Sequence, residues 1–384
     1  MGSPLRGGHH ASHLNVHIVD PSAYTPPYDR ALAAALARAG ARVTLETSRF
    51  GYGPVPRADG YAVDERFYRW APGGPGSRAR FAAKLAQHVP DMLRYRSAAR
   101  SADVVHFQWL TVQPLDVHLL PPVHPLVLTA HDVLPREPRP GQLQAQRRLY
   151  ARVDAVVVHS QTGAARLLAL GVPEDRVHVI PHGAFTHLAA LESRPLPHEL
   201  GATERPVALF FGLLRPFKGL DVLLEAWRGI EDAELWVVGR PRMDLEPLRA
   251  RAPANVRFLP RFVTDEEVAA LFRRADLAVL PYRQADQSGV LFTALAFGTP
   301  FVASDVGGFG EVATTGAGEV VAPADPAALH DALVALLADP ERRARMAAAA
   351  REAAATTYAW DAIARRTLDL YARLGAPLRH NAAP

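Results

Sequence analysis

Short runs of aliphatic and β-branched residues recur along this chain, and most are followed by a stretch whose apolar positions repeat with helical spacing. In the first half these runs predict strands at residues 14–19, 42–45, 104–107, 126–129, 155–158 and 177–180, with a helix at 30–38. A second series begins at 207–211 and continues at 235–238, 256–259, 277–280, 300–303 and 319–321. Continuously apolar strands alternating with helices predict parallel sheets covered on both faces. The alternation breaks once, at 189–205, where Pro195, Pro197 and Gly201 stand among few apolar residues, the composition of a linker. The pattern thus predicts an α/β protein with two doubly wound, Rossmann-like parallel-sheet domains, at 12–188 and 205–355, joined by 189–204. Residues 1–11 read as a disordered tail. An Ala-, Arg- and Glu-rich helix at 340–355 precedes another at 361–374, one more than the second domain needs. The segment 356–384 is therefore expected to cross back to the first domain and end in a tail.

Composition changes this picture in only a few places. At 384 residues the chain is long enough for two cores. The absence of Cys removes disulfide frameworks, thiolate zinc sites and cysteine nucleophiles together. No run approaches the ~20 apolar residues of a spanning helix, and the start lacks a secretory apolar core, so a cytoplasmic location is expected. A net charge of +4 says little about partners. More pointed is that only two of the 43 basic residues are lysines, Lys84 and Lys218. Lys84 lies in the basic stretch 76–100, where Arg78, Arg80, Arg94, Arg96 and Arg100 interleave with Phe81, Leu85, Met92, Leu93 and Tyr95 against a single Asp91. A stretch of this kind suits peripheral contact with anionic lipid at the inner face of a membrane; a solvated basic face is the alternative. Neither an aromatic-and-basic platform nor a helix-turn-helix pattern is present, so nucleic acid is not an expected partner.

Parallel sheets bind anions where strand ends meet helix N-termini. No GxGxxG follows the first strand, where Asp20-Pro21-Ser22-Ala23 stands, and no GxxxxGK[ST] occurs. Instead, Phe210-Phe211-Gly212-Leu213-Leu214-Arg215-Pro216-Phe217-Lys218-Gly219 follows the strand at 207–211. Arg215 and Lys218 are three apart in a Gly-bounded turn, spaced to neutralise a diphosphate. A second junction runs from Leu280-Pro281-Tyr282 through Asp286-Gln287-Ser288-Gly289 into a short apolar helix ended by Gly298. Ser288 is expected to cap that helix, with the amides of Gly289 and Val290 facing the same anion.

These residues carry a resemblance to the retaining family 4 glycosyltransferases of GT-B fold. The second half shows the G-x-x-R-x-x-K-G turn, Arg261-Phe262 after a strand, A-D-L-A-V-L-P-Y from Ala275 and A-L-A-F-G-T-P-F-V-A-S-D-V-G-G-F-G-E from Ala294 to Glu311. The first half agrees more loosely, through V-V-H-F-Q-W from Val104, L-T-A-H-D from Leu128, V-V-V-H-S from Val156 and V-I-P-H-G from Val179. The resemblance spans about 14–374 and implies two domains facing a cleft that encloses a nucleoside-diphosphate sugar. A UDP-sugar is favoured over a GDP- or dTDP-sugar, with no cofactor. No D-x-D triplet occurs, so no metal site is expected. The resemblance further implies retention of configuration without a covalent intermediate. It gives His131 the role of reaching the donor sugar, and makes Gly212, Phe262, His182 and Glu311 donor contacts; a helix cap is an equal reading of Glu311. The acceptor, a small molecule or glycan, would lie near Tyr28, Asp29 and Asp132, although Asp29 equally suits a helix cap.

Two departures stand out. Leu213 replaces the arginine that directly follows the first glycine in the family, with Arg215 two residues later. The family's E-x7-E pair falls on Ala285 and Thr293. Asp286 and Gln287 are then the candidates for sugar hydroxyls, and Thr293 for the ribose. Two other functions share these residues. One is a sugar-nucleotide epimerase of the same fold, which the missing carboxylates disfavour; the other is a non-catalytic sugar-nucleotide-binding protein, which their loss permits.

Overall fold

The computed structural model describes residues 14–376 apart from 54, 75, 137 and 193, so the tail expected at 1–11 lies outside the described residues. Two sheets form. The first contains β1 (Asn15–Asp20), β2 (Arg42–Ser48), β3 (Ala62–Phe67), β4 (Val104–Phe107), β5 (Leu126–Thr129), β6 (Ala155–Val158) and β7 (Val177–Val179), ordered β3-β2-β1-β4-β5-β6-β7. The second contains β8 (Val207–Phe211), β9 (Glu234–Val238), β10 (Val256–Leu259), β11 (Leu277–Leu280), β12 (Phe301–Ser304) and β13 (Gly318–Val321), ordered β10-β9-β8-β11-β12-β13. The strands are parallel, and in both sheets the order reverses beside the first strand, the switch point where such sheets bind ligands.

Strand positions agree with the apolar pattern to within a residue at most boundaries. The exception is β3, which the pattern missed. Its sequence Ala-Val-Asp-Glu-Arg-Phe puts three charges at a sheet edge, and only Phe67 is buried. Edge strands carry such charges because they deter pairing with a second chain, so burial periodicity cannot reveal them.

Contacts divide the chain into two compact units. Among the described residues, unit 1 holds 14–130, 138–156 and 364–376, and unit 2 holds 131–136 and 157–363. In unit 1 the C-terminal residues are tied in by Tyr371, whose ring is buried and whose Oη lies 2.7 Å from His106 Nδ1. In unit 2 the central strands β8, β9 and β11 are wholly buried apart from Phe211, and one side of the sheet packs on Trp227, Leu223 and Leu333. That packing holds the carboxyl ends of β8 and β11 rigidly, and the candidate chemistry sits there.

Candidate functional site

β8 ends at Phe211 and the chain turns at Gly212, whose φ of +106° lies outside the range comfortable for other residues. The turn leads through Arg215 to a single 3₁₀ turn, Pro216–Lys218. Arg215 is exposed, whereas Lys218 is only 8% exposed. Its Nζ donates a long 3.4 Å bond to Phe211 O and lies 4.9 Å from the centre of the Tyr282 ring. A Cβ on Gly212 would come within 2.7 Å of that Nζ and 3.3 Å of Val290 Cγ2. Glycine therefore lets the lysine and the start of the helix Gly289–Phe297 converge on one point. Among the described residues, no carboxylate lies within 4 Å of Lys218 or Arg215. A buried ammonium without a counter-ion is costly, and an anionic ligand relieves that cost.

The helix Gly289–Phe297 presents its N-terminus to the same place, and the amides of Gly289 and Val290 carry no hydrogen bond within the described residues. The expected cap is not made. Ser288 occupies the N-cap position, but its Oγ lies 3.3 Å from Tyr282 Oη and accepts no backbone amide. The positive helix end is thus left uncompensated by the side chain meant to cap it, which suits anion binding.

The donor-sugar candidates fall into two groups. Gln287 Oε1 is buried with no hydrogen-bond partner among the described residues, an acceptor left unsatisfied by the fold. Asp286 is already engaged: it accepts the amide of Val133 at 2.7 Å and pairs with Arg166. Thr293, expected near a ribose, is 5% exposed and donates to Gly289 O at 2.9 Å within its own helix. A Ser or Thr hydroxyl inside a helix commonly bonds the carbonyl four residues back in this way. Ala285, at the other family carboxylate position, is buried. Phe262 is exposed, and beside it Arg261 is held by Glu199 and by Glu267 at 2.7 Å.

Glu311 caps a helix, though not its own. Its two carboxylate oxygens accept the amides of Gln161 and Thr162, each at 2.9 Å, at the N-terminus of Gln161–Ala169, where Ser160 Oγ accepts Gly163 N. A carboxylate there also meets the positive end of the helix dipole. Of the two readings of Glu311, the helix cap is the one whose hydrogen bonds are made within the described residues.

His131 follows β5 and is half-buried beside Asp132, which pairs with Arg136 Nη2 at 2.6 Å. Burial pushes the Asp132 carboxyl above its ordinary pKa range, against the pull of Arg136. His182 is 6% exposed and stacks flat on Phe292 with ring centres 4.3 Å apart, so it supports the helix Gly289–Phe297 from beneath. Between these two rings stands His159, which no sequence pattern singles out: it sits in the Val156 run and only the fold brings it to the other two.

In unit 1 the acceptor-side expectation changes. Tyr28 and Asp29 are 3% and 1% exposed, inside the core, so they support the first junction and do not line it. Asp29 lies in the first turn of Pro26–Arg38 and accepts from Thr25 Oγ1 at 3.2 Å. Burial and the neighbouring Asp20 push its carboxyl well above the usual range. The open surface at this junction is instead a pocket of about 390 Å³, lined by Ser22, Arg49, Arg78, Arg80, Phe81 and Lys84 among others. Among the described residues none of these four cations has a carboxylate within 4 Å. Arg49 lies outside the basic stretch, and no motif or spacing in the chain points to it.

The helix Arg78–Ala98 that carries the basic stretch exposes Phe81, Leu85 and Leu93 and buries Met92 and Tyr95. No described helix is long and apolar enough to cross a membrane.

Comparison with known proteins bears on the family and the fold. The family model described as Glycosyl transferases group 1 matches residues 205–339, and that of Glycosyltransferase Family 4 matches 29–187. A D-inositol 3-phosphate glycosyltransferase of Xylanimonas cellulosilytica is 33% identical, the match covering 89% of each chain. A phosphatidyl-myo-inositol mannosyltransferase of Mycobacterium leprae is 40% identical over 42% of this chain and 45% of that one. Among solved structures, Anabaena HepE in complex with UDP-glucose superposes with a TM-score of 0.73 at 18% identity, covering 94% of this chain and 100% of that one, which speaks to the fold. A nearly full-length relative at this identity, two family models over the two halves and the doubly wound sheets lead to one assignment: the chain belongs to the family 4 glycosyltransferases of GT-B fold.

Proposed function

We propose that this glycosyltransferase moves a sugar from a nucleoside-diphosphate donor, a UDP-sugar ahead of a GDP- or dTDP-sugar, to an acceptor hydroxyl with retention of configuration and without a metal or cofactor. The observation that carries the donor class is Lys218, buried with no carboxylate in reach at the point where Gly212 and Val290 meet. Lys218, Arg215 and the amides of Gly289 and Val290 supply fixed positive charge for the departing diphosphate, which is where negative charge develops. Gln287 Oε1 accepts from a sugar hydroxyl. His131 lies beside the donor sugar, and the acceptor attacks on the face the diphosphate leaves.

The acceptor is read as anionic. The named acceptor of the Xylanimonas relative carries a phosphate, and the unit 1 pocket supplies Arg49, Arg80 and Lys84 without carboxylate partners. The exposed Phe81, Leu85 and Leu93 beside these cations support peripheral contact with anionic lipid at the inner membrane face.

The test is nucleoside-diphosphate release from UDP-glucose, GDP-mannose and dTDP-glucose, with D-inositol 3-phosphate, unphosphorylated inositol or phosphatidylinositol vesicles as acceptor, in the presence of EDTA. Release with a phosphorylated acceptor, and a product of retained anomeric configuration by NMR, is the expected result. Binding of donors without any transfer would favour the non-catalytic reading. Loss of transfer in EDTA, restored by Mg²⁺, would overturn metal independence.

A further inference from the structure

Three histidine rings form a row in unit 2. Ring centres are 5.0 Å apart for His131 and His159 and 5.4 Å apart for His159 and His182, with the planes inclined by 52° and 73°. No group of three His, Cys, Asp or Glu side chains among the described residues is arranged to hold a metal ion. Hydrogen bonds order the row instead. His159 Nδ1 lies 2.9 Å from Ile180 O; a carbonyl can only accept, so Nδ1 carries a proton. His159 is 6% exposed, and burial holds its pKa down to about 4. At neutral pH the ring therefore has this one proton, and Nε2 presents a lone pair. Facing that lone pair at 3.1 Å is His131 Nδ1, which must donate.

We propose that His159 is a positioning residue for His131, holding its neutral ring as the Nδ1–H tautomer, which carries the lone pair on Nε2. This rests on the reading of His131 as the group that meets the donor sugar. The consequence for that role is specific. Nε2 with a lone pair accepts from a sugar hydroxyl and lies favourably beside positive charge developing at the anomeric carbon; Nε2–H would oppose that charge. Which nitrogen of an imidazole carries the proton is set by the bond the other makes, and the bond from His131 Nδ1 meets a His159 ring that is itself oriented by Ile180 O. His182, stacked on Phe292, closes the far side of the row and keeps the His159 ring from turning.

The experiment has two arms. In the first, ¹⁵N-histidine-labelled protein is studied by long-range ¹H–¹⁵N correlation, with the His131 signal assigned by its loss in His131→Gln. The expected pattern in the wild-type protein is Nδ1 protonated; an Nε2–H pattern would overturn the proposal, whether or not any acceptor is turned over. In the second arm, His159→Phe keeps a flat ring of similar size and removes the acceptor, while His159→Gln can place an amide oxygen near the former Nε2. His159→Phe is expected to lower kcat about 10- to 100-fold with donor KM changed less than about twofold, and to move the His131 signal toward Nε2–H. His159→Gln should recover most of the rate and the wild-type signal. Equal losses in both variants with an unmoved His131 signal would make His159 a packing residue and defeat the idea. A correct tautomer combined with full activity of His131→Gln would overturn it too, and would locate the fault in the role given to His131.

Discussion

Replacing Lys218 by methionine separates what this residue does for the fold from what it does for a ligand. Methionine keeps the length of the aliphatic stem and removes the ammonium. Without ligand the lysine is 8% exposed, its ammonium bonded to Phe211 O at 3.4 Å and 4.9 Å from the Tyr282 ring centre, with no carboxylate near. Losing the weak hydrogen bond and the ring contact costs roughly 1 kcal/mol each. Burial of an unpaired charge costs about as much or more, so the stability of the free protein should change by less than about 1 kcal/mol, with an increase as acceptable as a decrease. With a diphosphate bound the balance is different. Opposite unit charges about 4 Å apart at an effective dielectric of ~20 attract by about 4 kcal/mol, a factor of about 10³ in rate or affinity. Lys218→Met is therefore expected to keep the melting temperature of the free protein, lose most of the thermal shift given by UDP, and lose about 10³ in kcat/KM. Thermal denaturation with and without UDP, beside a nucleoside-diphosphate release assay, measures all three. A large fall in melting temperature with nucleotide affinity intact would show a structural lysine and refute the clamp.

Gly212→Ala should weaken nucleotide binding at least 10-fold while leaving the sheets formed, because the new Cβ would press on Lys218 Nζ and the φ of +106° disfavours it; UDP titration checks this. Glu311→Ala should cost about 1–2 kcal/mol in urea denaturation by uncapping Gln161–Ala169, with donor KM within about twofold of wild type. His159, held down to about 4 in the fold against 6.5 when free, contributes stability that is present above pH 6.5 and lost as pH falls toward 4, up to about 3 kcal/mol. Urea midpoints at pH 7 and pH 4.5 should differ less in His159→Phe than in wild type.

Much of this site is legible in the amino-acid sequence, and the reason is local. Gly212, Arg215, Lys218 and the Ser288-Gly289 junction lie at strand-to-helix turns, where sequence spacing translates directly into geometry. What fails to show needs the chain to be folded. Tyr28 and Asp29 stand at such a junction too, yet their burial depends on the helix Pro26–Arg38 turning that face inward. Glu311 reads as a donor contact or a helix cap, but which helix it caps is fixed only when Gln161 and Thr162, 150 and 149 residues away, arrive beside it. Ser288 has the residue type and position of a cap, but Tyr282 Oη takes up its hydroxyl. His159 stands in the V-V-V-H-S run, yet nothing there marks its ring as the neighbour of His131 and His182, and no spacing in the chain connects the three.

The replaced carboxylates also alter how charge is balanced. With Ala285 and Thr293 at the positions where the resemblance expects carboxylates, and Asp286 engaged by Arg166 and Val133, no described carboxylate lies within 4 Å of Lys218 or Arg215, and Asp132 acts on Arg215 only from a greater distance. The fold carries the cost of the buried Lys218 whenever no anion is bound, and the arriving diphosphate relieves it. On the proposed function, selection at this site is for the doubly charged bridge common to all nucleoside-diphosphate sugars. On the same proposed function, discrimination among sugars falls to neutral groups such as Gln287 Oε1, and discrimination among acceptors to the cationic pocket of unit 1. A hydroxyl-bearing sugar satisfies a buried neutral acceptor that would otherwise stay unpaired, and an unpaired buried acceptor costs about 1–3 kcal/mol. If the proposed function holds, absence of the acidic pair moves sugar selectivity onto hydrogen bonding and leaves the electrostatic driving force on the leaving group intact.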